Sequence, residues 1–427
     1  MEMLRTIRKA WGVPDIRKKI IFTLLMLVIF RIGSNIPVPG INRSVLAELF
    51  SGNTGLFDLF NLFSGGSFGN MTIFALSITP YITASIILQL LTVAIPALER
   101  LAREGMEGRK KITAYTRYLT VVLALIQAIG VTVGMFRRAL ISTDVFSIVV
   151  IVLVLTAGTA FLMWLGEQIN ENGIGNGISL LIFAGIIARL PSGVGNTIAK
   201  FKAGEIGFMT IVLFVAFAIV VIVGIILIQQ GQRRIPVQYA KRVVGRKMYG
   251  GQSTHIPLRV NQAGVIPVIF AMALLQFPLT ITYFMSSTSS FSIWVTKWLS
   301  PTGNPGVWVY AVLYCILTFF FTYFYTTITF NPLEVSDNMK QNGGFIPGIR
   351  PGRATTEYLQ KVMNRLTFVG AVFLAAVAVL PTLVSQFTPI DMYFGGTSLL
   401  IAVGVALDTM KQLEQQMVMR NYKGFLK

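Results

Sequence analysis

The sequence is poor in charge and nearly empty of the side chains on which most enzymes depend. Of its 427 residues, 12% are charged, one is cysteine and one is histidine. The single Cys315 excludes an intrachain disulfide and a cysteine-based metal cluster. His255 lies in a basic segment, and the chain has no Gly-x-x-x-x-Gly-Lys-Ser/Thr phosphate loop. We therefore expect no enzymatic activity, no metal site and no cofactor.

The chain is correspondingly rich in apolar residues. Hydrophobic residues make up 54% of the chain, and its charged fraction is about half of the roughly 25% found in soluble domains. Such a chain has lipid as its main solvent, so the sequence predicts a polytopic membrane protein. The first apolar segment, 20–36, contains Arg31 and is followed by no small-residue cleavage site. We expect it to remain as a span rather than to be removed as a signal peptide.

Ten apolar segments are candidate membrane crossings. They cover residues 20–36, 71–95, 118–136, 145–165, 178–190, 206–228, 263–284, 307–330, 366–384 and 394–407. With this arrangement, roughly four-fifths of the 36 lysines and arginines lie on the side of the two termini. Positive charge is retained in the cytoplasm during insertion, which predicts that both termini are cytoplasmic.

The ten spans divide into two sets of five, and because five is odd, a repeat between the sets must be inverted. Spans two and seven are counterparts, and each contains a proline, Pro80 and Pro267. Spans five and ten are both short and follow glycines. Interrupted segments at matching positions predict a transport pathway between the halves. Membrane helices commonly contain glycine and proline, so ordinary packing stays the alternative.

A short apolar stub precedes the second span. Residues 59–98 carry no charge, but one helix of that length would measure about 60 Å, twice the thickness of the hydrocarbon core. Glycines 65, 66 and 69 interrupt the run and leave 56–64 too short to cross. Non-helical backbone at membrane depth indicates a cavity and a segment that fills it. An interfacial helix in the headgroups is the alternative.

The centres of spans two, five, seven and ten carry no charge. Ion-coupled transporters normally keep ionisable groups near the midplane. The uncharged centres therefore argue against a secondary transporter of small solutes, which stays an alternative interpretation, as does a membrane scaffold without a pore.

Several strings resemble the SecY family of protein-translocation channels. They are Arg-Ile-Gly-Ser-Asn-Ile-Pro-Val-Pro-Gly at 31–40, Thr-Pro-Tyr-Ile-Thr-Ala at 79–84, Trp-Leu-Gly-Glu-Gln-Ile at 164–169, Gly-Ile-Gly-Asn-Gly-Ile-Ser at 173–179, Gln-Ser-Thr-His-Ile-Pro-Leu at 252–258 and Gly-Phe-Ile-Pro-Gly-Ile-Arg-Pro-Gly at 344–352. The resemblance covers essentially the whole chain. One departure is Ser77, where we expect glycine.

The resemblance implies an all-α integral membrane protein in which ten transmembrane helices form two inverted five-helix halves, a clamshell around a central pore. The implied units are an N-terminal half at 1–190 with a plug segment at 56–68, a linking segment with span six at 191–230, a basic cytoplasmic loop at 231–260, spans seven and eight at 261–330, a second cytoplasmic loop at 331–365, and spans nine and ten with a cytoplasmic tail at 366–427.

The resemblance also implies three sets of pathway residues. The plug contains Leu56, Phe57, Leu59, Phe60, Leu62 and Phe63. An apolar pore ring contains Ile78, Ile82, Ile178, Ile182, Ile269 and Ile401. A lateral gate, through which apolar segments leave for lipid, contains Pro80, Thr83, Ile86, Gln89, Pro267 and Phe277. Without the family, these isoleucines would be interpreted as lipid-facing or core residues.

Two kinds of gate residue carry a mechanical expectation. Pro80 and Pro267 are expected to remove helical hydrogen bonds and so let their spans bend. The amides of Gln89 and Gln127 are expected to tie spans two and three together by a buried hydrogen bond.

Two cytoplasmic loops predict docking sites. The proposed docking residues are Arg233, Arg234, Lys241, Arg242, Arg246, Lys247, Arg350 and Arg353. Residues 229–260 contain no acidic residue, and 331–365 is rich in turns. Such loops suit an acidic protein surface, ribosomal RNA or anionic lipid. Orientation by positive charge explains the net charge of +19 but not the length of both loops.

The resemblance implies the partners and the location. The partners are the SecA motor ATPase, the ribosome, the small membrane subunits SecE and SecG, and polypeptides that carry signal sequences. The location is the cytoplasmic, or inner, membrane.

Overall fold

The computed structural model describes residues 11–42, 44–46, 64–239, 242–244, 247–249, 253–282, 285, 289–299, 305–387 and 396–424. Within them the helices are α1 Pro14–Gly33, α2 Thr79–Ala94, α3 Pro96–Arg103, α4 Met106–Ile129, α5 Val145–Asn172, α6 Gly177–Ala188, α7 Leu190–Lys202, α8 Phe208–Gln230, α9 Ile266–Thr282, α10 Ser290–Trp298, α11 Gly306–Thr329, α12 Pro332–Gln341, α13 Arg353–Phe387 and α14 Gly396–Gly424. The strands are β1 Gln232–Tyr239, β2 Arg242–Val244, β3 Lys247–Tyr249, β4 Ser253–Arg259 and β5 Gly344–Phe345.

Six helical segments are long and apolar enough to cross a membrane within the described part of the chain. They are Met106–Met135, Val145–Asn172, Gly177–Lys202, Phe208–Gln230, Gly306–Gln341 and Arg353–Leu380. The pair α2 and α3, bent by 101°, makes a seventh if it counts as one span. Helix α9 is apolar but shorter, and α1 carries lysines near its start and Arg31 near its end. The multi-pass architecture therefore has direct support, and the number ten stays a prediction.

The prolines of spans two and seven lie at helix starts, so the expected bending role is wrong. Helix α2 begins at Thr79, not near residue 71, and residues 73–78 before it form turns. Pro80 and Pro267 each occupy the second position of a helix. The N–H of a residue in the first turn has no helical partner, so proline there removes no hydrogen bond. Pro278 is the interior proline of α9, and the sequence reasoning did not single it out.

The two halves meet at two seams. Within the first half, α4 packs against α2 and α5, and within the second half, α11 packs against α9 and α13. Across the halves, α2 contacts α9 on one seam, and α6 contacts α14 on the other. The second seam includes a hydrogen bond in which the backbone N–H of Gly175 donates to Oε1 of Gln412 at 3.0 Å.

The two loops predicted to be cytoplasmic form one folded unit, which we call the cytoplasmic unit: β1, β4, α12, β5 and the start of α13. Its three-stranded sheet has the order β4-β1-β5 and is antiparallel. A shared apolar core contains Ile235, Val237, Leu258, Met339, Ile346, Leu359, Val362 and Met363. Helix α13 continues without a break from this core toward the membrane, through the predicted unit boundary at 365.

Candidate functional site

All six isoleucines of the predicted pore ring lie in one apolar cluster. Ile78, Ile182 and Ile401 are buried, and Ile82, Ile178 and Ile269 are partly buried and packed against them. They come from α6 and α14 at one seam and from α2, the residue before it and α9 at the other. The cluster therefore spans both halves at the place where they meet. The pore role of the cluster stays a prediction.

A cavity of about 40 Å³ lies within this cluster. Four of the isoleucines line it: Ile78, Ile82, Ile182 and Ile269. The rest of its wall includes Ser77, Thr83, Met272 and Gln276. This volume has room for a few water molecules at most. Neither a hydrated ion nor a polypeptide fits such a space.

A larger polar cavity of about 460 Å³ lies between the halves beside the cytoplasmic unit. Its wall includes Asn176, Ser179, Gln229, Arg259, Asn261, Gln262, Tyr325, Thr329, Asp408, Thr409, Lys411, Gln412 and Gln415. Burial and, to a lesser degree, the nearby Arg259 lower the pKa of Lys411, while Asp408 and Glu414 oppose the shift. Sequence reasoning missed this cavity because its side chains come from five separate segments.

The predicted gate residues do not all face the seam. Ile86 is buried at 8% exposure in a cluster dominated by α9 and α11, and Ile82 and Leu90 pack against the same cluster. These three residues recur every four positions and so share one face of α2. Phe277 is 58% exposed, whereas Gln276 shares a cavity wall with Thr83.

Gln89 does not tie two helices together, so that expectation is wrong for this residue. Its side chain is exposed, and Nε2 donates to Oγ of Ser85 at 3.4 Å, one turn earlier in the same helix. An exposed amide is satisfied locally and has no need of a partner on a second helix.

The plug residues Leu56, Phe57, Leu59, Phe60, Leu62 and Phe63 lie outside the described residues. The glycines that follow form turns, as predicted: Gly65 has φ +63° and Gly66 has φ +93°. A Cβ at Gly65 would stand 2.8 Å from Cα of Gly185 in α6. Only glycine permits both this conformation and this close approach.

Ser77 also has a positive φ, +53°. This left-handed conformation favours glycine. Ser77, the one departure from the family strings, therefore lies at a position whose backbone conformation favours glycine.

Four of the predicted docking arginines are exposed on the cytoplasmic unit. Arg233 and Arg234 lie on β1, and Arg350 and Arg353 lie at the turn into α13. Nε of Arg353 pairs with Oε1 of Glu357 at 3.0 Å, which leaves Arg350 as the stronger candidate for a partner. Arg242 and Lys247 lie on the paired strands β2 and β3. Lys241 and Arg246 lie outside the described residues.

These features define a helical membrane protein whose two halves meet at an apolar cluster. A family model described as SecY matches residues 72–410. The chain is 52% identical over 437 aligned residues to the protein translocase subunit SecY of Halalkalibacterium halodurans, with all of both chains covered. The chain therefore belongs to the SecY family, whose members are channel subunits and not enzymes.

Solved structures agree on the fold. A structure described as that of a protein conducting channel matches with a TM-score of 0.65 at 21% identity and covers 94% of this chain and 93% of that chain. Sec61 in the canine ribosome-channel complex from the endoplasmic reticulum matches with a TM-score of 0.62 at 19% identity, covering 94% and 93%. The predicted helical channel fold is confirmed, with a small sheet added in the cytoplasmic unit.

Proposed function

We propose that this chain forms the channel of a protein translocase, through which unfolded polypeptides cross the cytoplasmic membrane. The observation that supports this function is the isoleucine cluster, which draws side chains from both halves and adjoins the polar cavity. A channel for diverse polypeptides needs a constriction that makes no sequence-specific contacts, and aliphatic side chains meet this need.

An apolar constriction also limits ion leakage. It strips an ion of hydration without replacing the lost contacts, which costs tens of kcal/mol in the Born limit. In the proposed mechanism a polypeptide displaces the isoleucines, which then pack around it and limit the leakage of ions. The plug segment at 56–68 closes the external side of the resting channel.

The proposed lateral gate is the seam between α2 and α9. In this proposal the apolar packing of Ile82, Ile86 and Leu90 holds it closed. Packing of this kind separates and re-forms without leaving an unpaired polar group in lipid. Apolar segments of a passing polypeptide leave through this seam.

The proposed partners divide by location. The ribosome and the SecA motor bind the cytoplasmic unit, in support of which one structurally similar channel is described in a ribosome-channel complex. SecE and SecG bind within the membrane. Anionic lipids and both termini lie at the cytoplasmic face, in keeping with the distribution of positive charge.

Polar substitution in the constriction tests the proposal. Ile182→Ser and Ile401→Ser should hydrate the cluster and raise the resting ion conductance of the reconstituted complex. Ile219→Ser in α8 is the matched control, because Ile219 is 55% exposed and outside the cluster. Single-channel recording in planar bilayers compares the three. If the constriction variants conduct no more than the control, these isoleucines do not form the seal.

A further inference from the structure

The cytoplasmic unit has a free sheet edge. Strand β4 pairs with β1 along its whole length, and among the described residues no strand pairs with its other side. A free edge presents unpaired N–H and C=O groups and is a template for a further strand. Residues 254, 255, 257 and 259 of this strand are exposed.

The register fixes which groups face outward. The N–H of Val260 donates to the carbonyl of Gly231 at 2.9 Å, which continues the ladder by one pair. Hydrogen-bonded and non-hydrogen-bonded pairs alternate in an antiparallel ladder. Leu258, Ile256 and Thr254 therefore bond to β1, whereas the backbone groups of His255, Pro257 and Arg259 point to the free edge.

Proline modifies that edge at its centre. Pro257 has no N–H, so the outward donors on either side of it are those of His255 and Arg259, four residues apart. Proline on an edge strand is a common device against indiscriminate strand pairing. Its position here leaves both outward donors and every outward carbonyl in place. Pro257 therefore restricts strand pairing at this edge but does not prevent it.

Charge indicates the kind of strand that fits. Arg259 lies on the exposed face of the sheet with Arg234, which pairs with Pro257 in the register. No acidic residue occurs between positions 229 and 260. Arg259 also lines the polar cavity, so a strand added along β4 would end at the mouth of that cavity.

We propose that β4 is a docking edge that takes an extended acidic segment of a cytoplasmic protein partner as an additional strand. The inference rests on the proposed docking role of the cytoplasmic unit. Backbone pairing supplies affinity and the basic face supplies selectivity. The alternating outward N–H and C=O groups match a polypeptide backbone, and RNA phosphates would use only the donors and the positive side chains.

Variants at His255 and Pro257 separate backbone from side chain. His255→Pro removes an outward N–H that the ladder to β1 does not use, and His255→Ala removes the side chain but keeps the N–H. The motor ATPase SecA is the probe, added to the full channel complex in lipid nanodiscs. We expect His255→Pro to weaken binding roughly fivefold, His255→Ala to change it little, and Pro257→Ala, which adds an outward donor, to tighten it roughly fivefold.

Amide hydrogen exchange gives the second readout. Added motor should slow exchange at His255 and Arg259 in the unsubstituted complex, while Thr254, Ile256 and Leu258 are protected beforehand and report whether each variant still folds. Equal binding by His255→Pro and His255→Ala, or no added protection, overturns strand addition. A third outcome is that ribosomes, but not the motor, protect these amides, and that Arg259→Gln weakens ribosome binding more than His255→Pro does. That outcome indicates a contact with RNA phosphates and also overturns strand addition.

The variant Arg350→Glu tests the docking role, on which this inference rests, separately from strand addition. If Arg350→Glu abolishes motor binding while the two His255 variants bind alike, docking at the unit stands and strand addition is wrong. If Arg350→Glu and every β4 variant bind the motor as the unsubstituted complex does, the docking role fails, and strand addition fails with it.

Discussion

Truncation of Ile86 should shift the resting channel toward the open seam. Ile86 is 8% exposed and packs from α2 into the cluster built by α9, α11 and α13. Ile86→Ala removes three of its four side-chain carbons from that cluster. Large-to-small substitutions in cores cost about 2 to 5 kcal/mol, and we take the low end because lipid, not water, covers the separated surfaces.

A loss of about 2 kcal/mol from the closed state changes the ratio of closed to open channels roughly 30-fold. We therefore expect Ile86→Ala to translocate a precursor with a shortened signal sequence faster than the unsubstituted channel, because less work remains for the signal to do. ATP-driven uptake into inverted vesicles at matched protein level measures it.

Val93→Ala is the matched control for this prediction. Val93 lies on the same helix but is 50% exposed, so its truncation leaves the seam intact. If Ile86→Ala and Val93→Ala both behave as the unsubstituted channel, packing at Ile86 does not hold the seam closed, and the gate assignment for α2 and α9 is wrong.

Four further predictions follow from the same structure. Deletion of 56–63 should raise resting conductance in planar bilayers while assembly is preserved, and unchanged conductance would count against a plug. Ser77→Gly should be more stable than Ser77→Ala by about 1 kcal/mol in thermal unfolding, because both lose the hydroxyl and only alanine keeps a Cβ at positive φ; equal stability refutes this. Arg350→Glu should slow motor-driven translocation without lowering thermal stability, since Arg350 is exposed, and normal rates would contradict the docking role. Cysteines at Thr83 and Gln276 should form a disulfide in the resting state that blocks translocation until it is reduced; normal transport with the bond formed would show that this seam need not open.

Glycine and hydropathy signals were readable from the sequence because they act locally. The turns at Gly65 and Gly66 follow from the glycines themselves, and the span predicted at 145–165 lies within the helix Val145–Asn172. The prediction for Pro80 failed because proline has two opposite meanings in a helix, one in the first turn and one in the interior. Which applies depends on where the helix starts, and apolar composition does not mark that point.

Long-range pairings were beyond the sequence for a different reason. The two cytoplasmic loops join through a shared core, in which Val237 lies with Met339 and Ile346, about a hundred positions later. No residue pattern in either loop indicates which distant segment it will contact. The exposure of Gln89 and Phe277 likewise depends on how α2 and α9 are rotated. A uniformly apolar helix has no polar face from which that rotation could be inferred.

Helix α13 contains a stiff rod at Arg353–Leu380, the part that precedes Pro381. These 28 residues span about 42 Å. One part of it, at Leu359 and Val362, is embedded in the core of the cytoplasmic unit, and another, at Leu374 and Val377, is embedded in the cluster that also holds Ile86. A helix resists bending far more than a loop does. A force applied to the cytoplasmic unit therefore moves this helix as a whole and reaches the seam between α2 and α9. The work of a partner outside the bilayer thus has a mechanical route to the seam.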